Sequence, residues 1–288
     1  AGRAGPAADR RGRPRGLRPA QRPPAGQWST WLFLGGRGAG KTLAGAEWLA
    51  DQAEALGAEG RLALVGPTLH DVRETMTEGA PGLPGLPRWT TTTRPVFEAA
   101  RRRLRFANGA TAYAFSAEDP DSLRGPQFAA AWADEFCAWP AKGSRGAAET
   151  LALLRMGLRL PAADGGAPRL CVTTTPRPTR ALKALREEAS CVETHAATAE
   201  NAAHLSAGFV EGLEALYGGT RRAAQELEGR VVEMDGALFT AAMLAEARTA
   251  PDEAGGFERV VVAGDPPATA GGDACGIGGA GERRRAGG

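Results

Sequence analysis

One segment constrains the fold of this chain more than any other: Gly35-Gly36-Arg37-Gly38-Ala39-Gly40-Lys41-Thr42. It matches the pattern G-x-x-x-x-G-K-[ST], in which a glycine-rich loop binds phosphate groups. An apolar run at 31–34 precedes it and predicts a buried strand, and residues 43–56 follow it with the spacing of an amphipathic helix. Strand, loop and helix therefore occur in the order that a phosphate-binding loop, or P-loop, requires.

The residue types in this loop suit a magnesium-bound nucleoside triphosphate, and we expect ATP and Mg²⁺ as cofactors. Glycines let the backbone curl so that successive N–H groups point at phosphate oxygens. The following helix adds the partial positive charge of its N-terminus. Lys41 is expected to reach the β- and γ-phosphates and the Thr42 hydroxyl to bind Mg²⁺. Since the sequence contains 40 glycines, a chance match is the alternative.

Composition limits the other functions that the chain can have. A length of 288 residues allows one large domain or two smaller ones, and a net charge of +2 excludes general electrostatic attraction to nucleic acid. The four cysteines are scattered without a C-x-x-C pair, which argues against a metal cluster or a disulfide scaffold. Apolar runs are too short to cross a membrane, and we predict a cytoplasmic protein with no membrane partner.

The pattern along the chain divides it into four regions. Residues 1–25 consist mainly of Arg, Pro, Gly and Ala and predict a disordered low-complexity leader. Residues 26–235 alternate apolar strands with helices, which predicts a three-layer α/β domain with a mostly parallel sheet. Residues 236–258 are weakly patterned and predict a linker. Residues 259–288 contain a further strand and the start of its partner.

The predicted secondary structure within 26–235 is regular. An Asn108-Gly109 pair predicts a hairpin turn. The predicted strands are 31–34, 61–65, 96–98, 103–106, 111–115, 128–133, 169–173 and 191–196. The predicted helices are 43–56, 69–78, 147–160, 179–189, 206–216 and 220–228.

Two acids end the strand predicted over 128–133, in the arrangement called Walker B. A parallel strand places them at its carboxyl edge, beside the bound phosphates. Asp134 is expected to hold Mg²⁺ through its water shell, and Glu135 to polarise the water that attacks the γ-phosphate. The alternative is a strand that ends in two solvated acids, which the P-loop upstream makes less favourable.

Three further features fit nucleotide hydrolysis. Arg37, inside the P-loop, and Arg124, ahead of the Walker B strand, are candidates to stabilise the charge that develops on the γ-phosphoryl group. Thr173, Thr174 and Thr175 end another core strand, and their hydroxyls are candidates to sense the γ-phosphate. The alternatives are surface charge for the arginines and ordinary β-branched strand residues for the threonines.

Together these motifs resemble the large subunit of a tailed-phage terminase. Among such subunits, the sequence is most similar in character to those of gene transfer agents and related prophages. The resemblance covers about residues 21–280. It is carried by Trp31-Leu32-Phe33-Leu34 with the P-loop, Glu118-Asp119-Pro120-Asp121-Ser122-Leu123-Arg124-Gly125-Pro126-Gln127-Phe128, Trp132-Ala133-Asp134-Glu135, Thr173-Thr174-Thr175-Pro176-Arg177-Pro178 and Tyr217-Gly218-Gly219-Thr220.

The resemblance implies a DNA-packaging motor whose ATPase belongs to the additional-strand, catalytic-glutamate class of P-loop enzymes. It implies double-stranded DNA, a portal ring and a terminase small subunit as partners, with the motor itself a homo-oligomeric ring. Arg37 would act as a finger in cis, Arg124 as a finger in trans, and Thr173 to Thr175 as the coupling motif. Asp265 would be the first metal ligand of an RNase H-like nuclease that begins at 259.

Two departures from the family lead to further expectations. The additional acidic ligands of the nuclease do not follow Asp265, and one carboxylate cannot hold two Mg²⁺ ions, so we expect no nuclease activity. Residues 1–20 replace a helical segment, and we expect truncation at both ends. The alternatives are another P-loop DNA translocase or helicase, and an inactive prophage remnant that only binds nucleotide.

Overall fold

The computed structural model describes residues 16–140, 146–206, 208–218, 220–232, 243, 259–265 and 276–282. The chain divides into two compact units, Ala1–Val232 and Glu233–Gly288. Among the helices of the described ranges, none has the length and apolar character needed to cross a bilayer.

An eight-stranded sheet organises the first unit. Its strands are β1 (Thr30–Gly35), β2 (Arg61–Gly66), β3 (Val96–Glu98), β4 (Arg103–Arg105), β5 (Thr111–Ser116), β6 (Ala130–Asp134), β7 (Arg169–Thr174) and β8 (Cys191–Ala196). The order across the sheet is β3-β4-β5-β2-β6-β7-β1-β8. The six strands from β5 to β8 in this order are parallel, and β3 and β4 add an antiparallel edge. The predicted mostly parallel sheet is confirmed.

Helices follow the parallel strands as the alternating pattern predicts. They are α1 (Lys41–Leu56), α2 (Leu69–Asp71), α3 (Gly146–Gly157), α4 (Arg180–Arg186), α5 (Phe209–Tyr217) and α6 (Arg221–Glu226). The helix predicted over 69–78 is α2 continued by a π-helical segment, Val72–Thr77. The helix predicted over 147–160 ends early because Leu158 leaves it to form a β-bridge with Phe128.

Apolar side chains on both faces of the sheet make the core. In β1, Trp31 and Phe33 point to one face, and Leu32 and Leu34 to the other, as the two-residue period of a strand requires. The first face packs against α1, and the second packs against α3 and α4. The sheet therefore lies between two helical layers, which is the predicted three-layer architecture.

The position of β7 decides how the acidic and phosphate-binding motifs are arranged. It lies between β1, which leads into the P-loop, and β6, which ends at Asp134. The three strands are parallel, so their carboxyl ends meet at one edge of the sheet. A strand at this place is what the resemblance to the additional-strand class implies, and it brings Thr173 and Thr174 between the two motifs.

The segment before β1 differs from the sequence prediction of a disordered leader over 1–25. Pro19–Gln21 forms a 3₁₀ turn, Gln21 is buried, and the Arg18 guanidinium donates to the Ala39 carbonyl. Residues 1–15 lie outside the described residues. Long-range contacts of Arg18 and Gln21 hold the described part of this segment although its composition offers little apolar surface.

In the second unit two strands are described, β9 (Arg259–Asp265) and β10 (Gly276–Glu282). They pair in antiparallel register, with Arg259 opposite Glu282 and Asp265 opposite Gly276. Val260, Val261 and Val262 are exposed. The predicted linker over 236–258 lies outside the described residues except for Met243.

Candidate nucleotide-binding site

The P-loop connects the carboxyl end of β1 to the first turn of α1. Gly38 has a φ of 72° and Gly40 a φ of 82°, which is the left-handed region that glycine adopts without steric cost. Gly36 is closely packed, since a Cβ there would lie 2.3 Å from the Leu227 carbonyl oxygen. The glycines are therefore needed at these positions for conformation and for space.

Several amides at the start of α1 are without a hydrogen-bond acceptor among the described residues. Among them are the backbone N–H groups of Gly40, Lys41 and Thr42. Such unpaired donors at a helix N-terminus attract anions, because their dipoles add to a partial positive charge. These amides are therefore the donors that the sequence predicts for phosphate oxygens.

Lys41 is the first residue of α1, directly after the P-loop glycines, and only 6% of its side chain is exposed. Its ammonium donates to the Gly36 carbonyl at 3.1 Å and to the Thr175 hydroxyl at 3.0 Å. It also lies 3.5 Å from Glu135 Oε1. These partners offset the cost of burying the charge and place it between the two motifs.

Asp134 is buried at the end of β6, where Thr173 holds its carboxylate. The Thr173 hydroxyl donates to Asp134 Oδ1 at 2.6 Å and accepts from the Trp132 indole at 2.8 Å. Burial, together with the smaller effect of the neighbouring Glu135 carboxylate, raises the pKa of Asp134 to about 7. The Thr173 hydroxyl and the Lys41 ammonium both act to lower this pKa.

Glu135 adopts a backbone conformation that is rare outside glycine. Its φ is 48°, and strained residues of this kind cluster at functional sites when the surrounding structure holds them. Glu135 Oε2 accepts from the Thr175 amide at 3.2 Å. The carboxylate is partly exposed, with 37% of the side chain accessible, so solvent can reach it.

The three threonines hold different parts of the site. Thr173 binds Asp134, and Thr175 binds both Lys41 and Glu135. The Thr174 hydroxyl accepts from the Cys137 amide at 2.9 Å, and so fixes the turn that follows Glu135. The end of β7 therefore connects the P-loop with both acids.

Arg37 forms an ion pair with Glu226, the last residue of α6, in this structure. Its Nε lies 2.5 Å from Glu226 Oε2, and its amide donates to the Glu226 carbonyl at 2.6 Å. The side chain of Arg37 is 59% exposed whereas that of Glu226 is 12% exposed. The sequence did not indicate Glu226, because no local pattern marks an acid whose partner, Arg37, lies 189 positions earlier in the chain.

Arg124 is not brought to the P-loop. It precedes the amino end of β6, donates to Asp121 at 2.7 Å, and shares a cleft with Met156 and Gly157 at the end of α3. Since β6 runs parallel to β1, the amino end of β6 is at the edge opposite Lys41. Within one subunit the structure separates this arginine from the other predicted site residues.

The residues present fit a magnesium-bound triphosphate. Unpaired amides and the buried Lys41 ammonium match phosphate oxygens. A threonine hydroxyl at Thr42 and a carboxylate at Asp134 are the oxygen donors that Mg²⁺ prefers. The remaining predicted metal ligand, Asp265, ends β9 and belongs to the second unit.

Comparison with known proteins agrees with the fold of the first unit. A large terminase from a thermophilic bacteriophage, in complex with ADP, matches with a TM-score of 0.54 and 17% identity, over 83% of this chain and 57% of that one. The ATPase domain of the Thermus phage P74-26 large terminase matches with a TM-score of 0.50 and 18% identity, over 72% of this chain and 90% of that one. At these identities the likeness shows the fold.

No curated protein sequence matches the chain. A family profile does match: "Terminase large subunit, T4likevirus-type, N-terminal", over residues 32–246. The matched region spans most of the first unit, including the P-loop, both acids and the three threonines. The chain therefore belongs to the family of T4-like-virus-type terminase large subunits and contains their N-terminal region.

Proposed function

We propose that this chain hydrolyses ATP and uses the energy to translocate double-stranded DNA into a procapsid, as the motor of a terminase large subunit. The observation that carries the proposal is the cluster of Lys41, Glu135 and Thr175 at the edge of the sheet. Because the chain spans 57% of the ADP-bound phage terminase that it matches, the activity and partners of a whole terminase are part of this proposal.

The P-loop from Gly35 to Thr42 binds the phosphates, with Lys41 facing the β- and γ-phosphates. The Thr42 hydroxyl and, through water, the Asp134 carboxylate would hold Mg²⁺. Glu135 takes a proton from the attacking water. Its contact with Thr175 and its partly exposed carboxylate support this role, since the base needs both a fixed position and access to water.

Arg37 and Arg124 supply positive charge to the transition state from different subunits. Arg37 acts in cis, because it belongs to the same loop as Lys41, but it has to leave Glu226 first. Arg124 acts in trans, on the site of a neighbouring copy, because it lies at the opposite edge of its own sheet. A homo-oligomeric ring supplies the geometry for such a contact.

Thr173, Thr174 and Thr175 couple the nucleotide state to movement. Each threonine binds a different part of the site, so loss of the γ-phosphate changes contacts along the end of β7. The partners of the moving domain are double-stranded DNA, a portal ring and a terminase small subunit in the bacterial cytoplasm. Asp265 remains a proposed first ligand of a nuclease metal site.

An ATPase assay with purified protein tests this function. We expect ATP hydrolysis that double-stranded DNA stimulates, without strand displacement, which separates the motor from a helicase. Lys41→Ala is expected to abolish nucleotide binding, whereas Lys183→Ala, at an exposed position on α4, leaves binding and turnover unchanged. Nucleotide binding without turnover under all conditions would favour an inactive remnant.

A further inference from the structure

Four consecutive carbonyl groups of the P-loop are each held by a side chain from outside the loop. Two of these side chains come from the 3₁₀ segment Thr198–His204, which follows β8. The Thr198 hydroxyl donates to the Arg37 carbonyl at 2.7 Å. The Asn201 side-chain amide donates to the Gly38 carbonyl at 2.6 Å.

The other two side chains come from the segment before β1. The Arg18 guanidinium donates to the Ala39 carbonyl through Nη2, and Gln21 Nε2 donates to the Gly40 carbonyl at 3.0 Å. The four carbonyls from Arg37 to Gly40 thus have partners drawn from two segments that are remote from each other in sequence.

Arg18 also joins these two segments directly. Its Nη1 donates to the Glu200 carbonyl at 2.6 Å and to Asn201 Oδ1 at 2.8 Å. Because Asn201 Oδ1 accepts from Arg18, the nitrogen of the same amide faces the Gly38 carbonyl. Arg18 therefore contacts the loop at Ala39 and orients the side chain that holds Gly38.

Fixing the carbonyls also fixes the amides. In a planar trans peptide the C=O and the following N–H point in opposite directions. The Ala39 carbonyl, which Arg18 binds, thereby sets the direction of the Gly40 amide. The Gly40 carbonyl, and with it the Lys41 amide, is held both by Gln21 and by the Ala44 amide in the first turn of α1. These two amides are among those that lack an acceptor in the described residues, as expected for donors that await a phosphate.

A loop so rich in glycine loses much conformational entropy when a ligand orders it. Contacts that order it beforehand reduce that loss and so increase affinity. We propose that Arg18 and Asn201 are positioning residues that pre-order the P-loop for phosphate. This inference rests on the proposed function, because it assigns the pre-ordered amides to the phosphates of ATP.

The substitution Asn201→Asp tests the inference with almost no change of shape. An aspartate still accepts from Arg18, but it has no N–H to donate and its charge repels the Gly38 carbonyl. We expect the Kd for ATP, measured by calorimetry with full-length protein, to rise at least about 10-fold, which corresponds to about 1.4 kcal/mol. The midpoint of thermal unfolding without nucleotide is expected to fall only slightly.

Asn108→Asp is the matched control. The Asn108 side-chain amide donates to the Ala53 carbonyl at 2.9 Å, at the far end of α1 from the P-loop. This variant loses the same kind of hydrogen bond, so it is expected to lower thermal stability by a similar amount while keeping the wild-type Kd. A merely structural role of Asn201 predicts that the two variants behave alike.

Arg18→Ala and Arg18→Lys provide a second, independent measurement. The lysine variant keeps the charge and a donor group, but it lacks the planar guanidinium that contacts Ala39 and Asn201 together. We therefore expect Arg18→Lys to bind ATP more tightly than Arg18→Ala and less tightly than wild type. If Asn201→Asp and Arg18→Ala both bind ATP with wild-type affinity, the inference about these two residues is overturned and the proposed function is not affected. A wild-type protein that does not bind ATP would remove the proposed function and this inference together.

Discussion

Lys41 Nζ lies 3.5 Å from Glu135 Oε1, so that the lysine of the P-loop and the second acid of the Walker B strand form an ion pair across the end of β7. Both side chains also contact Thr175. The ammonium is thus partly neutralised by the proposed base. We expect a bound phosphate to compete for the same ammonium and to leave the Glu135 carboxylate free to accept a proton.

This relationship predicts the effect of Glu135→Gln. Glutamine keeps a side-chain oxygen that can accept from the Thr175 amide, but it cannot take a proton from water. We expect the Kd for ATP to stay within a few-fold of wild type and kcat to fall at least about 100-fold, as is usual when a general base is removed. Direct binding and steady-state ATPase measurements check both values. Turnover at the wild-type rate would exclude Glu135 as the base.

The Arg37–Glu226 pair predicts a change in ATP affinity. Arg37 has to leave Glu226 to reach a phosphate, and the present contact is a charge-assisted hydrogen bond at 2.5 Å. Glu226→Gln weakens that contact, so we expect ATP to bind about 3- to 10-fold more tightly. Glu228→Gln is the control, because Glu228 is an exposed acid that pairs with Arg230. Equal effects of both variants would contradict a specific role for Glu226.

The parts of the site that were predictable from sequence are those with local signals. The P-loop is a contiguous motif, and Asp134-Glu135 follows an apolar strand, so spacing and residue type were sufficient. The contacts of Arg18, Asn201 and Glu226 were not predictable, because each joins a side chain to a loop that lies far away in sequence. Composition also gives no sign of the polar contacts that Arg18 and Gln21 make with the P-loop, because the segment before β1 is poor in apolar residues.

Substitutions of Thr173 separate the contribution of its hydroxyl group to stability from the contribution of its side-chain shape. Thr173→Val keeps the volume but leaves the Trp132 indole and Asp134 Oδ1 without their shared partner. Both groups are buried, so we expect the free energy of unfolding to fall by about 1–3 kcal/mol, measured with urea. Thr173→Ser retains the hydroxyl and is expected to lose less. A serine variant as unstable as the valine variant would argue that shape alone matters.

A substitution of Gly45 measures how much free energy of unfolding is lost when α1 is forced away from the sheet. A Cβ at Gly45 would lie 2.2 Å from the Trp132 indole, so Gly45→Ala forces α1 and β6 apart. We expect a loss of about 1–3 kcal/mol in the free energy of unfolding, as for other overpacked cores. In Gly212→Ala, on α5, the added methyl meets no atom within 4 Å, and a gain of about 0.5–1 kcal/mol is expected from helix propensity. Equal effects in urea titrations would contradict the close contact.

Arg124 predicts complementation between subunits. If Arg124 acts on the neighbouring subunit's site, each variant keeps the residue that the other has lost. An Arg124→Ala subunit retains Glu135, and a Glu135→Gln subunit retains the Arg124 that its neighbour needs. Each variant alone is expected to be nearly inactive when assembled, and a mixture is expected to recover DNA-stimulated ATPase activity. Recovery arises only where an Arg124 of one subunit meets a Glu135 of another.

Two controls sharpen this experiment. Asp121→Asn removes the exposed partner of Arg124 and is expected to leave activity nearly unchanged, because surface ion pairs contribute little. A mixture of Arg124→Ala with Lys41→Ala is also expected to recover activity, since Lys41→Ala subunits still supply Arg124 to their neighbours. Dilution should remove the recovered activity in both mixtures, because a site shared between subunits exists only in the assembly. Unchanged specific activity of Arg124→Ala alone, or mixtures no more active than their components, would contradict a finger in trans.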